Sequence, residues 1–406
     1  MNNEIKRNIL LNPGPATTSN SVKYAQVVPD ICPREEEFGS VMEFISKELT
    51  GLVGDNDKYT TVLFGGSGTA AVESILSSVV SNDKILIINN GAYGKRMCEI
   101  AEAYNLNYIE YKSSEIDKID ITKLENILKE YNERKDSDLK ISHLAIVHHE
   151  TTTGILNDIK EVGDICKKYN VDMIVDAMSS FAGIPINMDE MNIKYLASSS
   201  NKCIQGMAGV SFVIANKEAL ENAKNINPKN LYLNLYKQYS YFKENYQMRF
   251  TPPVQVLYAL KQAIVEAKEE TIDKRSRRYR QCCEILWDGL DEIGLKRLVS
   301  KENSSMILTS IIEPKCEKYN FNDLHDYLYS RGFTIYPGKV ALKNTFRIAN
   351  IGEIYPEDMK KFISILKEYF KDIANLWFSE YPPKMRTYVY FDCWKILKYF
   401  WAQLKK

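Results

Sequence analysis

The chain has 406 residues, 45% of them hydrophobic and 26% charged, with 53 Lys and Arg set against 53 Asp and Glu. That apolar content suffices for a large core, and the length requires two or three domains, since single cores stop growing near about 250–300 residues. A formal charge of zero gives no electrostatic reason to expect nucleic acid or an acidic surface as the partner.

The eight cysteines form no CxxC pair and only four histidines accompany them, so no metal site is expected. The start, MNNEIKRNILLNPGP, lacks the apolar run of a signal peptide. No stretch reaches the ~18 uninterrupted apolar residues of a membrane span. The expected setting is a reducing cytoplasm.

Between 59 and 215 the pattern alternates. Strands are predicted over 58–64, 84–89, 107–111, 142–148, 172–175, 195–198 and 210–215, several of them near-continuous apolar runs suited to strands covered on both faces. Helices are predicted between them over 69–80, 92–104, 121–133 and 159–169. The rhythm predicts an α/β fold: a large domain with a mostly parallel sheet flanked by helices.

From 218 to 293 the pattern is helical and charged, with helices predicted over 231–245, 254–270 and 274–293. Strands over 305–312, 333–335 and 345–351 then alternate with helices over 322–331 and 356–370, which reads as a smaller C-terminal α+β domain. The expected organisation is a large α/β domain over 21–251, a small domain over 291–372, bridging segments over 1–20 and 252–290, and an aromatic-rich extension over 373–406. Trp377, Trp394 and Trp401 lie in that extension, and Pro382-Pro383 breaks it. Its 388–404 stretch is expected to be a docked terminal helix or a subunit contact, with a membrane-surface helix as the less favoured alternative.

Three features carry chemistry. Gly65-Gly66-Ser67-Gly68-Thr69 lies between a predicted strand and helix, where glycines allow close backbone approach and a helix N-terminus offers free N–H groups to a phosphate. By itself such a loop is more often a turn with an N-cap, and it is neither a Walker A loop nor GxGxxG. Asp176 closes the apolar run Ile174-Val175, at the strand end where ligands of open α/β sheets bind. A buried carboxylate there needs a cationic or donor partner, such as a protonated pyridine nitrogen; a plain helix N-cap is the alternative. Lys202 follows Ser198-Ser199-Ser200-Asn201, 26 residues after Asp176. A lysine in a semi-enclosed pocket forms an imine with an aldehyde, and these three features stand in the order that pyridoxal phosphate requires.

Beyond these features, the sequence resembles the class V, fold-type I aminotransferases, and within them the 2-aminoethylphosphonate:pyruvate branch. The matching segments are LLNPGPATTS (10–19), GGSGTAAVES (65–74), NNGAYGKR (89–96), HHETTTGILN (148–157), IVDAMSSFAGIPI (174–186), SSSNKCIQGMAGVSFVIA (198–215), MRFTPPVQVLYAL (248–260) and YPGK with TFRIANIG (336–352). ETTTG, DAMSSF, SNKCIQG and RFTPP together are specific to that branch. The resemblance implies a fold-type I pyridoxal-phosphate transferase that moves the amino group of 2-aminoethylphosphonate to pyruvate, giving phosphonoacetaldehyde and L-alanine. Lys202 would hold pyridoxal 5′-phosphate as a Schiff base and move the α-proton. Asp176 would pair with the pyridinium nitrogen, Ser67, Gly68 and Thr69 would hold the phosphate, Tyr93 would stack on the ring, and Thr152 would hydrogen-bond the 3′ oxygen. The resemblance also implies a homodimer with sites at the interface, in which Thr251 would reach the neighbouring subunit's cofactor phosphate. Arg347 would bind the substrate's phosphonate or carboxylate, a task suited to a bidentate guanidinium.

The bland alternatives are core packing for Tyr93, a turn for Thr251 ahead of Pro252-Pro253, and a structural ion pair for Arg347. Two departures stand out: many catabolic relatives carry a Gly-Ser-Arg-Asp type segment where this chain has Asp30-Ile31-Cys32-Pro33-Arg34-Glu35, and the extension exceeds the usual family length. The rival enzyme reading is a class V aminotransferase with another donor, of the alanine:glyoxylate or serine:pyruvate type. A cysteine desulfurase shares the fold, but Cys316 in Glu-Pro-Lys-Cys-Glu-Lys does not fit its catalytic loop.

Overall fold

A computed structural model describes residues 5–133, 140–316, 318–338 and 344–380, with side chains in the last stretch to Ile373; the remainder of the aromatic extension lies outside the described residues. The chain divides into two compact units, one of Thr18–Thr151 with Ile155–Ser276, the other of Met1–Thr17, Thr152–Gly154 and Arg277–Lys406.

The larger unit is built from α1 (Glu36–Gly51), β1 (Tyr59–Gly65), α2 (Gly68–Val79), β2 (Lys84–Asn89), α3 (Ala92–Ala103), β3 (Tyr108–Lys112), α4 (Ile121–Asn132), β4 (Ile141–Val147), α5 (Ile159–Lys168), β5 (Asp172–Asp176), β6 (Ile193–Ser199), β7 (Val210–Asn216), α6 (Leu235–Asn245) and α7 (Val254–Glu270). Helix α8 (Ile272–Ile293) follows, and the division between the units falls within it. The sheet order is β1-β7-β6-β5-β4-β2-β3. Every pairing is parallel except those of β7, which runs against both β1 and β6.

Both faces of the sheet's inner strands are covered, which is why several of them read as near-continuous apolar runs. Along β4, Leu144 and Ile146 join the core beneath α1, α4, α5 and α7, while Ala145 and Val147 join the core beneath α2, α3 and α6. On α1, Phe38, Val41, Met42, Ile45 and Leu49 supply one buried stripe at helical spacing. That helix is absent from the predicted elements, although its spacing is readable.

The predicted helix over 231–245 begins instead at Leu235, because the Asn234 side chain caps it by accepting the N–H of Lys237. Asp120 and Asp158 cap α4 and α5 in the same way.

In the other unit, β8 (Lys296–Arg297), β9 (Leu308–Ile312), β10 (Tyr336–Pro337) and β11 (Thr345–Ala349) form an antiparallel sheet in the order β8-β9-β11-β10. Helix α9 (Phe321–Tyr329), helix α10 (Pro356–Glu380) and the later turns of α8 pack with it around Leu286, Leu290, Leu324, Phe346, Ile348, Phe362 and Leu366. The strand predicted over 305–312 starts only at Leu308, since Met306 adopts a positive φ of 58°. Among the described residues no helix is long and apolar enough to cross a membrane, and no cluster of three or more His, Cys, Asp or Glu is placed to hold a metal ion.

Phe212 in β7 is fully buried and packs edge-on to Phe181, with centroids 5.1 Å apart. Phe212→Ala is expected to lower unfolding free energy by about 3–5 kcal/mol, read from the urea midpoint; a change below about 1 kcal/mol would contradict this packing.

Candidate active site

The parallel strands place their C-terminal ends along one edge of the sheet, where ligands of open α/β sheets bind. At that edge β1 leads into α2. Ser67 is the N-cap residue of α2, with extended backbone, but its hydroxyl makes no capping hydrogen bond, so it is not spent on the helix. The first N–H groups of a helix have no partners within it. A Cβ on Gly68 would lie 2.4 Å from Met178 Sδ, so a larger residue at the start of α2 would displace the Met178 side chain from the turn after β5.

β5 ends at Asp176, 6% exposed, whose Oδ1 accepts the N–H of Met178 at 2.9 Å. Its backbone carbonyl accepts the N–H of His148 at 2.9 Å. Burial pushes its carboxyl up to about 6, opposed by the Met178 N–H and by the positive charges of Arg96 and Lys202. Gly68, Thr69, Tyr93, Arg96, Asp176 and Met178 line one small pocket.

Tyr93 and Arg96, one turn apart on α3, reach this pocket together. The Arg96 guanidinium lies 4.9 Å from the Tyr93 ring centroid, and its Nη1 donates to Thr69 Oγ1 at 3.5 Å. Helix α3 begins at Gly91 without a capping side chain of its own. The fully buried Glu150 carboxylate serves instead, accepting the Tyr93 N–H at 3.0 Å and meeting the positive end of the helix dipole. A Cβ on Gly91 would sit 2.4 Å from Glu150 Cδ.

After β6 the chain turns through Ser200, Asn201 and Lys202. Ser198, Ser199 and Ser200 are buried. Ser200 donates through both N–H and Oγ to the Val210 carbonyl at 3.0 Å, and accepts the Gly206 N–H at 2.7 Å. The serines therefore tie the loop down rather than solvate it. Lys202 is half-buried, and its charge acts on both Asp176 and His149. His149 is 3% exposed with Nδ1 2.9 Å from Ser179 Oγ, and burial, His148 and Lys202 together bring its pKa down to about 3. Burial holds His148 at about 4, so both imidazoles are neutral at pH 7.

In the smaller unit, Arg347 on β11 is 2% exposed, and its Nε donates to the Pro337 carbonyl at 3.1 Å. It pairs across the sheet with Ser310, whose hydroxyl donates to the carbonyl of buried Thr152 at 3.1 Å.

The class-V aminotransferase family model matches residues 19–354. The chain belongs to that family. A bifunctional phosphonoacetaldehyde hydrolase/aminoethylphosphonate transaminase of Clostridioides difficile (strain 630) is 43% identical over 365 residues, covering 89% of this chain and 56% of the relative. The chain thus spans little more than half of that protein. A 2-aminoethylphosphonate–pyruvate transaminase of Phocaeicola vulgatus (strain ATCC 8482) is 40% identical over 89% of this chain and 99% of its own length. Among solved structures, an alanine–glyoxylate aminotransferase of Nostoc sp. superposes with a TM-score of 0.82 at 24% identity, covering 91% of this chain and 96% of its own. The architecture is accordingly fold-type I.

In this class-V aminotransferase, Gly68, Thr69, Tyr93 and Asp176 meet in one pocket, and Ser67 adjoins it in sequence. Thr251 is exposed just ahead of α7. Thr152 and Arg347 are buried in the smaller unit. Arg96, Met178, His149 and Glu150 escaped the sequence reading. Arg96 carries a recoverable signal, since it sits three residues from Tyr93 and so on the same helix face. Glu150 carries none, because its role depends on a neighbouring helix lacking a cap.

The folded value of about 6 for Asp176 lies above the ordinary 3.8. Its contribution to stability is therefore full below pH 3.8 and lost as pH rises through 6. Cofactor-free Asp176→Asn is expected to exceed the wild type in stability by about 2 kcal/mol at pH 8, with the gap closing towards pH 4. Urea midpoints at the two pH values check this, and a gap independent of pH would contradict it.

Proposed function

We propose that this chain transfers the amino group of 2-aminoethylphosphonate to pyruvate, forming phosphonoacetaldehyde and L-alanine, with pyridoxal 5′-phosphate as cofactor. The observation that carries the reading is the meeting of a buried carboxylate, Asp176, with the Gly68–Thr69 helix start in one pocket, within electrostatic reach of Lys202. The choice of donor rests on relatives at about 40% identity whose names specify it.

The residues fit that cofactor. The start of α2, where Gly68 packs against the Met178 side chain, offers a backbone cradle at a helix N-terminus for the phosphate, with the Ser67 and Thr69 hydroxyls beside it. A desolvated carboxylate at Asp176 requires a cationic partner, which a protonated ring nitrogen provides. Bound here, pyridoxal phosphate supplies an aldehyde carbon that takes the amino group and a ring that accepts the electron pair left on the substrate carbon.

The side chains divide the remaining work. Lys202 would hold the cofactor's aldehyde carbon and, when released from it, would serve as the base for the proton on the substrate carbon bearing nitrogen. Asp176 keeps the ring nitrogen protonated by accepting its hydrogen bond. Tyr93 covers the ring, its own position fixed by the Glu150 cap and by Arg96. By resemblance, Thr152 donates to the 3′ oxygen, Arg347 holds the phosphonate or carboxylate of the substrate, and the partner subunit's Thr251 completes the phosphate site of a homodimer.

The test is alanine formation in a coupled assay with 2-aminoethylphosphonate and pyruvate, expected to give the parallel double-reciprocal lines of a ping-pong reaction. Lys202→Ala should remove the visible absorbance and lower turnover by about 10³-fold or more. A donor screen in which L-alanine or L-serine with glyoxylate outpaces the phosphonate would overturn the substrate assignment. An unchanged visible spectrum in Lys202→Ala would overturn the assignment of the Schiff base to Lys202.

A further inference from the structure

Arg275 is the most deeply buried basic side chain among the described residues of the larger unit, 1% exposed, and none of the chemistry above uses it. Burying a guanidinium costs several kcal/mol unless good geometry and hydrogen bonds offset it. Here Nε donates to Glu270 Oε2 at 2.6 Å and Nη1 donates to the carbonyl of Cys203 at 2.8 Å. Cys203 is the residue after Lys202. Its thiol donates to the Ser179 carbonyl at 3.1 Å, so the position is gripped from two sides.

The other end of the grip is also constrained. Glu270 closes α7, and Arg275 lies in the first turn of α8. The single residue between the helices, Thr271, has a φ of 67°. A β-branched residue in the left-handed region costs of order 1–3 kcal/mol and persists only where its surroundings hold it. Strain and a buried charge thus coincide at the joint that reaches the lysine loop. An apolar side chain of similar size would fill this space at lower cost, but it would leave the loop carbonyl unanchored.

We propose that Arg275 is a positioning residue for Lys202, fixing the loop that carries the amine to the joint between α7 and α8. This rests on the cofactor reading above. The test uses the full-length cofactor-free protein and measures how fast Lys202 is captured by pyridoxal phosphate and fixed with cyanoborohydride, read by mass spectrometry of the Lys202 peptide. Arg275→Met is expected to slow capture by about tenfold or more, as loss of orientation does. Leu257→Ala, a fully buried change on α7, lowers the melting temperature without touching the grip and is expected to capture at the wild-type rate. Arg275→Lys keeps the charge but not the fork, and is expected to fall between the two.

Capture by Arg275→Met at the rate of the Leu257→Ala control would overturn the proposal. Should Arg275→Met not fold, a wild-type rate in Arg275→Lys would do the same. If the wild type itself were not labelled at Lys202, the cofactor reading would fail and this inference with it.

Discussion

Asp176 is a carboxylate that the fold removes from water at the end of a strand, and the neighbouring groups are arranged around that removal. One oxygen is held by the Met178 N–H, while Arg96 and Lys202 bring positive charge towards it. None of these fully offsets the desolvation, and the carboxyl stays poised near 6. A site balanced in this way is prepared for a further cation, which is what a protonated pyridine ring brings. The turn that holds Asp176 also presses Met178 against Gly68, so the carboxylate and the helix start are adjusted to one another.

Support for the pocket comes from buried polar pairs rather than surface charges. Glu150 caps α3 in place of a residue at Gly91, the serines before Lys202 bond to the strand that follows, and Ser179 ties His149 to the turn after β5. Each is a buried group with its partner supplied, the condition under which polar interiors specify one arrangement.

Much of this was legible in the sequence where it depends on local pattern. Several strands of the large sheet announce themselves as apolar runs because both faces are buried, and Asp176 and Lys202 stand at strand ends that the alternation marks. Helix α1 precedes the strand–helix rhythm, which begins only at 59, so its apolar spacing stands without a neighbouring strand to frame it. The 231–245 start was misplaced by four residues, because Asn234 caps a helix whose preceding residues look equally helical. Glu150 and Arg275 were out of reach for a different reason. Glu150 meets Tyr93 57 residues away and Arg275 meets the Cys203 carbonyl 72 residues away, and no spacing rule connects those pairs before the chain is folded.

Strand β7 runs against its neighbours, pairing Ser211 with Ser199 and Val210 with Gly65. The lysine loop is consequently a hairpin return, closed by residues near in sequence, at small cost in chain entropy. Strand β1 joins the same β7 only by enclosing most of the larger unit. The two pairings of β7 therefore differ in contact order, one local and one among the longest-range pairings in the chain. Stabilising the lysine return acts on a cheap closure, whereas the β1–β7 seam carries the large topological cost of assembling the site.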